Sequence, residues 1–252
     1  MSAFTAYFDA SGDDHSQPHV TVGGFVATAG QWIAWEEAWL ERLKLDGLTY
    51  FHRAELYDWK EARRARLIDD LCRITRENVG HKFGVVAVNE EMKTVSDEDR
   101  RQFHLQAYGI CGRTVATEVK RWADSWGGTI PELVFEDGDL GKGHLIWLLE
   151  STGYPSPIFK TKKRQIHRKS GIVLEPAIPL QAGDLVAHNL FSVVRESYAT
   201  GKEIRLHPDL DKIPGDVGRI EPERFRLLKQ GFEQKDFLIM TTDVKINARG
   251  ED

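Results

Sequence analysis

Ala3-Phe-Thr-Ala-Tyr-Phe-Asp9, Ala10-Ser-Gly-Asp-Asp14 and His19-Val-Thr-Val-Gly-Gly-Phe-Val-Ala-Thr28 are an apolar run stopping on an acid, a polar turn, and a β-branched run. In that order they read as the two strands of a hairpin. The paired Gly23 and Gly24 predict a bulge or a close backbone approach. Next, Trp32, Trp35, Trp39 and Leu43 recur at helical spacing, which predicts an amphipathic helix over 31–45 with the Trp stripe in the core. The pattern continues with a helix over 59–78 (Leu67, Ile68, Leu71 and Ile74 on one face), a strand over 83–88 and one long helix over 97–125. Then follow a strand over 132–135, a helix around 145–149, a Pro-bearing basic loop over 154–170, a brief strand over 172–174 and a strongly apolar helix over 180–198. The tail is more polar, with a short helix near 221–230 and an apolar patch at Phe237-Leu-Ile-Met240. Strands alternating with helices predict an α/β domain over 1–201, with 202–252 as a C-terminal extension packed on it.

The chain has 252 residues, 41% hydrophobic and 29% charged, with seven Trp and twelve Phe that need a core, which excludes disorder for most of the length. Lys+Arg 34 against Asp+Glu 39 gives a net charge of −5. Bulk positive charge therefore does not coat nucleic acid here, although a local basic site remains open. The two cysteines, Cys72 and Cys111, form no CxxC pair or disulfide framework and read as small buried hydrophobes. No signal peptide and no membrane-length apolar run is visible, so a cytoplasmic protein without membrane association is expected. A homo-oligomer is compatible with the sequence.

The informative feature is where carboxylates interrupt apolar segments. Asp9 ends the first strand; Glu136 ends Leu133-Val-Phe135, with Asp137 and Asp139 close behind; Asp184 lies near the start of the most apolar helix. Burying an unpaired carboxylate costs several kcal/mol, on the order of the penalty for a lost polar partner, so three such positions need a reason. One reason is a divalent cation, Mg²⁺ or Mn²⁺, which prefers hard oxygen ligands. The alternative is turn chemistry at Asp9 and Asp137-Gly138, with Asp184 paired to a nearby arginine.

Tyr7-Phe-Asp-Ala-Ser-Gly12 resembles the strand-end motif, usually Asp-Glu-Ser-Gly, of domain-of-unknown-function family 3800. Pro179-Leu-Gln-Ala-Gly-Asp-Leu-Val-Ala187 is similar to that family's Leu-Gln-x-Ala-Asp-Leu helix motif, Phe51-His-Arg-Ala-Glu-Leu56 to its His-x-x-Glu-Leu element, and Val134-Phe-Glu-Asp-Gly-Asp139 to its acidic strand end. The resemblance covers roughly residues 3–200. It implies a ribonuclease H-like fold, a mixed sheet flanked by helices, with Asp9, Glu55, Glu136 and Asp184 gathered at one end of the sheet for metal-dependent phosphodiester chemistry. Two positions depart from the pattern: Ala10 replaces the usual Glu, and Gly183 replaces the usual Ala, which is mildly unfavourable in a helix.

Asp9, Glu136 and Asp184 are thus the expected metal ligands, with Glu136 favoured over Asp137 and Asp139 at the strand end because it directly follows the apolar run. Glu55 would ligate or orient water. His52, three residues before Glu55, shares its face on a helical turn and would assist at the phosphate. Asp184 and His188, four apart, share a helix face. Ser11 would donate hydrogen bonds near the metal; no nucleophile elbow surrounds it. Lys160 to Lys169 carries six Lys/Arg and no acid, so Lys160, Lys162, Lys163 and Arg164 are expected to hold a substrate backbone. The expected function is a metal-dependent nuclease acting on nucleic acid through activated water. The rival is a catalytically silent module of the same fold that binds nucleic acid or a protein partner, as in a defence or toxin system; a small phosphorylated substrate is a third reading.

Overall fold

The computed structural model describes residues 4–12, 17–139, 141–166 and 171–234. Its strands are β1 (Phe4–Ser11), β2 (His19–Thr28), β3 (His81–Val88), β4 (Glu132–Glu136), β5 (Ile158–Lys160), β6 (Gln165–Ile166), β7 (Val173–Leu174) and β8 (Gly215–Arg219). Its helices are α1 (Ala29–Leu45), α2 (Glu61–Asn78), α3 (Asp97–Gln102), α4 (Ala107–Ser125), α5 (Lys142–Ser151), α6 (Leu180–Thr200), α7 (Pro208–Asp211) and α8 (Pro222–Gln234). One sheet runs in the order β5-β4-β1-β2-β3-β8. The β1/β2 and β2/β3 pairs are antiparallel, and β1/β4, β4/β5 and β3/β8 are parallel. A mixed sheet with helices on both faces is the arrangement that the resemblance to family 3800 implies.

Each face of the sheet carries its own core. On one, Ala6, Phe8, Leu133 and Phe135 pack with Ile110, Val115, Leu145, Leu148 and Leu228 of α4, α5 and α8. On the other, Phe25 and Val86 pack with Trp35, Trp39, Leu71, Leu185 and Leu190 of α1, α2 and α6. The Trp stripe of α1 is core, and its indole N–H groups are satisfied: Trp32 donates to Thr5 O, Trp35 to Thr75 Oγ1 and Trp39 to Gln181 Oε1. Thr28 caps α1, accepting from the Gln31 N–H at 3.3 Å while Gln31 reaches back to the Thr28 N–H, a capping box worth about 1 kcal/mol. Cys72 and Cys111 are buried, and burial raises both thiols well above their ordinary range.

Gly23 and Gly24 make close approaches, and the β1/β2 register runs through them without a bulge. A Cβ on Gly24 would lie 2.0 Å from Tyr7 O, and one on Gly23 3.0 Å from Ala187 N of α6.

Three expectations are corrected. The single helix over 97–125 is two, α3 and α4, separated at Phe103–Gln106, where His104 takes φ 52°. Asp-Glu-Asp-Arg-Arg-Gln in α3 buries nothing, so no apolar stripe carries the longer helix through, and Ser96 caps α3 as a separate unit. The basic loop over 154–170 contains β5, an edge strand of the main sheet, and β6, which pairs with β7. The polar tail supplies β8, which pairs with β3 beyond the helical pattern. The expected patch at 237–240 lies outside the described residues.

Candidate metal centre

Alternation along the strands assembles the site. Ala6 and Phe8 face the α4/α5 core, so Asp9, one step on, faces α6. Glu136 follows Phe135 in β4 by the same logic. Phe8 and Phe135 are paired across the parallel β1/β4 ladder, which brings both acids to one end of neighbouring strands. Asp184 enters from the first turns of α6, which crosses β1 and β2. Gly183 permits this crossing: a Cβ there would lie 2.9 Å from Asp9 N and 3.1 Å from Asp9 Cβ. The glycine that costs helix propensity is what lets Asp184 come within reach of Asp9.

These acids line a cleft of about 460 Å³ together with Asp139, Lys162, Lys163, Ser11, His52 and His188. Carboxylate oxygens of Asp9, Glu136 and Asp139 lie within 4.8 Å of one another. Asp137 also lines the cleft, but it takes a salt bridge from Lys142 at 2.7 Å and is not part of that group. All three acids of the Glu-Asp-Gly-Asp turn line the cleft, and two of them, Glu136 and Asp139, join Asp9 in the group, where the sequence singled out one.

Lys162 sits inside the acid cluster. Its Nζ lies 2.7 Å from Asp9 Oδ2, 2.6 Å from Glu136 Oε2 and 3.3 Å from Asp184 Oδ1, and the side chain is 9% exposed. Burial alone pulls its pKa down, but the three carboxylates outweigh burial and hold it well above the usual lysine value. Asp9 is 1% exposed, and its other oxygen accepts from the Ala10 N–H at 2.8 Å. Burial raises the Asp9 carboxyl well above its ordinary value; Lys162 opposes this, and Glu136 and Asp184 reinforce it. Burial raises Glu136 too, against the pull of Asp9 and Lys162. Asp184 Oδ2 accepts from the Arg53 backbone N–H at 2.8 Å, so the main chain rather than an arginine head group is its partner there.

The other expected site residues divide. Ser11, His52 and Lys163 line the cleft. Glu55 stands beside it, 49% exposed, bound by the Tyr50 hydroxyl, by Lys163 at 3.5 Å and by His52 Nδ1 at 3.6 Å. These partners hold its carboxyl below the usual range, with the Tyr50 hydrogen bond the largest cause. Lys160 ends β5 with its side chain exposed, and Arg164 lies 3.7 Å from Glu175 on the surface. Residues 167–169 of the basic run lie outside the described residues.

Sequence reasoning assigned no role to Gln181, which is fully buried. Its Oε1 accepts from Trp39 Nε1 at 2.9 Å and the Phe51 N–H at 2.8 Å, while its Nε2 donates to Lys162 O at 2.9 Å. One side chain thereby ties α1, the segment before Arg53 and the Lys162 backbone to α6. The signal was present in Leu180-Gln-Ala-Gly-Asp184, where a polar residue interrupts an apolar helix face three positions before the acid.

The donor set suits a hard divalent cation. Asp9, Glu136 and Asp139 each offer a carboxylate oxygen, the hard ligand that Mg²⁺ and Mn²⁺ prefer, and these oxygens all lie within 4.8 Å of one another. One lysine also leaves the three ion-paired acids carrying an excess of negative charge.

No family profile matches the chain, and no curated protein matches it. Among solved structures it is similar to "Crystal structure of Bst-RNase HIII in complex with Mn2+", with 12% identity and a TM-score of 0.41 over 84% of this chain. The match covers 60% of that chain, so this chain spans less than two thirds of its length. Among the described residues no helix is long and apolar enough to cross a membrane.

Proposed function

We propose that the protein is a divalent-metal-dependent phosphodiesterase of ribonuclease H-like type that hydrolyses nucleic acid. The observation that carries this reading is the convergence of Asp9, Glu136 and Asp139 oxygens at the mouth of a cleft formed where β1, β4 and α6 meet. Asp9, Glu136 and Asp139 would hold Mg²⁺ or Mn²⁺, and Asp184 joins the acidic ring through Lys162. A cation held there would supply the positive charge that acidifies water and neutralises a phosphate oxygen. His188 lines the cleft as a neutral imidazole, its pKa lowered to about 4 by burial and the neighbouring Arg53; it would orient the attacking water by a hydrogen bond, and the proton that water sheds would pass to bulk solvent. Lys163, His52 and Ser11 line the approach and meet the phosphate backbone, with Lys160 and Arg164 outside the cleft extending the contact. Glu55 orients Lys163 and His52 from its seat against Tyr50. The motif resemblance to family 3800 supports the same reading, and a cytoplasmic location accords with it.

A second reading, a catalytically silent nucleic-acid-binding or partner-binding module, draws support from Ala10, which brings no carboxylate to the cleft, and from Lys162, which already bonds three of the acids. Cleavage of labelled single- and double-stranded DNA and RNA with Mn²⁺ or Mg²⁺ separates the two. Asp9→Asn is expected to lower the rate by roughly 100-fold or more, the scale of losing a preorganised electrostatic contact, with circular dichroism unchanged. A wild-type protein that binds oligonucleotides but cleaves none establishes the silent module.

A further inference from the structure

Lys162 is a built feature of the site. It lies two residues beyond β5, whose pairing with β4 places Lys160 opposite Glu136. The preceding carbonyl, Thr161 O, accepts from the Ala177 N–H at 2.8 Å, and Lys162 O accepts from Gln181 Nε2 at 2.9 Å. The main chain is thus fixed on both sides of the residue, and the side chain is delivered into the acids from a rigid base. An ammonium has three N–H donors. Here Asp9, Glu136 and Asp184 provide three acceptors, so Lys162 has no donor left for a substrate phosphate.

The acids divide around this ammonium. Asp9 and Glu136 belong both to the metal-binding group and to the lysine's coordination; Asp139 belongs to the first and Asp184 to the second. We infer that the Lys162 ammonium occupies one of two adjacent cation positions, so that the site takes a single divalent ion, on its Asp139 side. This inference rests on the metal-dependent reading and sharpens it: the chain itself supplies one of the three positive charges that the acids face. Lys162 acts as a positioning residue, holding Asp9 and Glu136 with their remaining lone pairs aimed at the Asp139 side.

Mn²⁺ titration by calorimetry, with electron paramagnetic resonance on the same samples, tests this on the full chain. Wild type is expected to bind one Mn²⁺ with an uncoupled spectrum. Lys162→Met is expected to bind two, with the spin coupling of ions a few ångströms apart. Asp139→Asn is expected to weaken Mn²⁺ binding tenfold or more, the scale of losing a supporting contact at a metal site. Asp184→Asn is expected to retain the single ion. Two coupled Mn²⁺ ions on wild type overturn the inference while leaving metal dependence intact, as does a folded Lys162→Met that still takes one. No Mn²⁺ on any variant removes both readings together. If Lys162→Met does not fold, the wild-type stoichiometry and line shape decide alone.

Discussion

His188 is the residue whose environment makes the sharpest solution prediction. It stands one helical turn past Asp184, half-buried, with its ring 6.2 Å from Tyr57. Burial, then Arg53, depress its pKa from 6.5 to about 4. The folded state therefore favours neutral imidazole, while the unfolded chain protonates near 6.5. Its favourable contribution to folding is complete above pH 6.5 and is lost as pH falls toward 4, at most about 2 kcal/mol between pH 7 and pH 5. Asp9 and Glu136 act with the opposite sign, since their raised pKa values make the folded state hold protons more readily as pH falls. Urea denaturation at pH 7 and pH 5 on wild type and His188→Gln isolates the histidine: the variant should lose less stability on acidification, and equal losses would refute the assignment. At this scale, sequence reading was strong where an acid follows an apolar run, as at Asp9 and Glu136, because a carboxylate next to core residues stands out; β1 nonetheless continues two residues past Asp9, to Ser11. It was weak for Lys162. One lysine among four basic residues over 160–164 looks like surface, and only the long-range pairing of β5 with β4 turns it inward.

Among the elements, α6 decides whether the site forms. It packs across β1 and β2 through two glycines, Gly23 beneath Ala187 and Gly183 against Asp9, and Thr21 Oγ1 donates to Ala187 O at 2.9 Å. Gly183→Ala should gain up to about 1 kcal/mol of helix propensity. The new methyl group, however, would stand 2.9 Å from a strand backbone nitrogen that cannot swing aside, so α6 and β1 must separate by a few tenths of an ångström. The expected net result is destabilisation of about 1–3 kcal/mol with weakened Mn²⁺ binding, measured by chemical denaturation and calorimetry on the same variant. Unchanged stability and unchanged metal affinity would show that the crossing has slack. The long elements, β1, β2, α1 and α6, were legible because each carries its periodicity over eight or more residues. β5 and β8 were not, because three residues among basic neighbours and Gly-Asp-Val-Gly-Arg carry almost no β signal of their own. Both are strands by virtue of the partner ladder, and that information lies elsewhere in the chain.

For the molecule as a whole, the electrostatics set a conflict that any polyanionic substrate has to resolve. The chain carries a net −5, and the cleft concentrates Asp9, Glu136, Asp139 and Asp184, so phosphate is repelled both at distance and at the site until cations neutralise it. Lys162 is not available for that purpose, since its donors are committed to the acids. The positive charge that meets the backbone must come from Lys163, which lines the cleft, and from Lys160 and Arg164 beside it. Of these, Lys160 has an exposed side chain, Arg164 has a surface partner at 3.7 Å, and Lys163 has Glu55 at 3.5 Å, distances that leave room to exchange a protein partner for a phosphate. Counting one released counterion per contact, Lys160→Gln, Lys163→Gln and Arg164→Gln together should flatten the slope of log affinity against log salt by roughly 2 to 3 for a duplex, and somewhat less for a single strand. The measurement is oligonucleotide binding by fluorescence anisotropy between about 50 and 200 mM salt, the range over which such contacts weaken most. Wild type and the triple variant are compared without divalent metal, so that cleavage does not intrude. An unchanged slope would place the substrate path elsewhere, with the exposed arginines of α2, Arg63 and Arg66, as the next surface to neutralise.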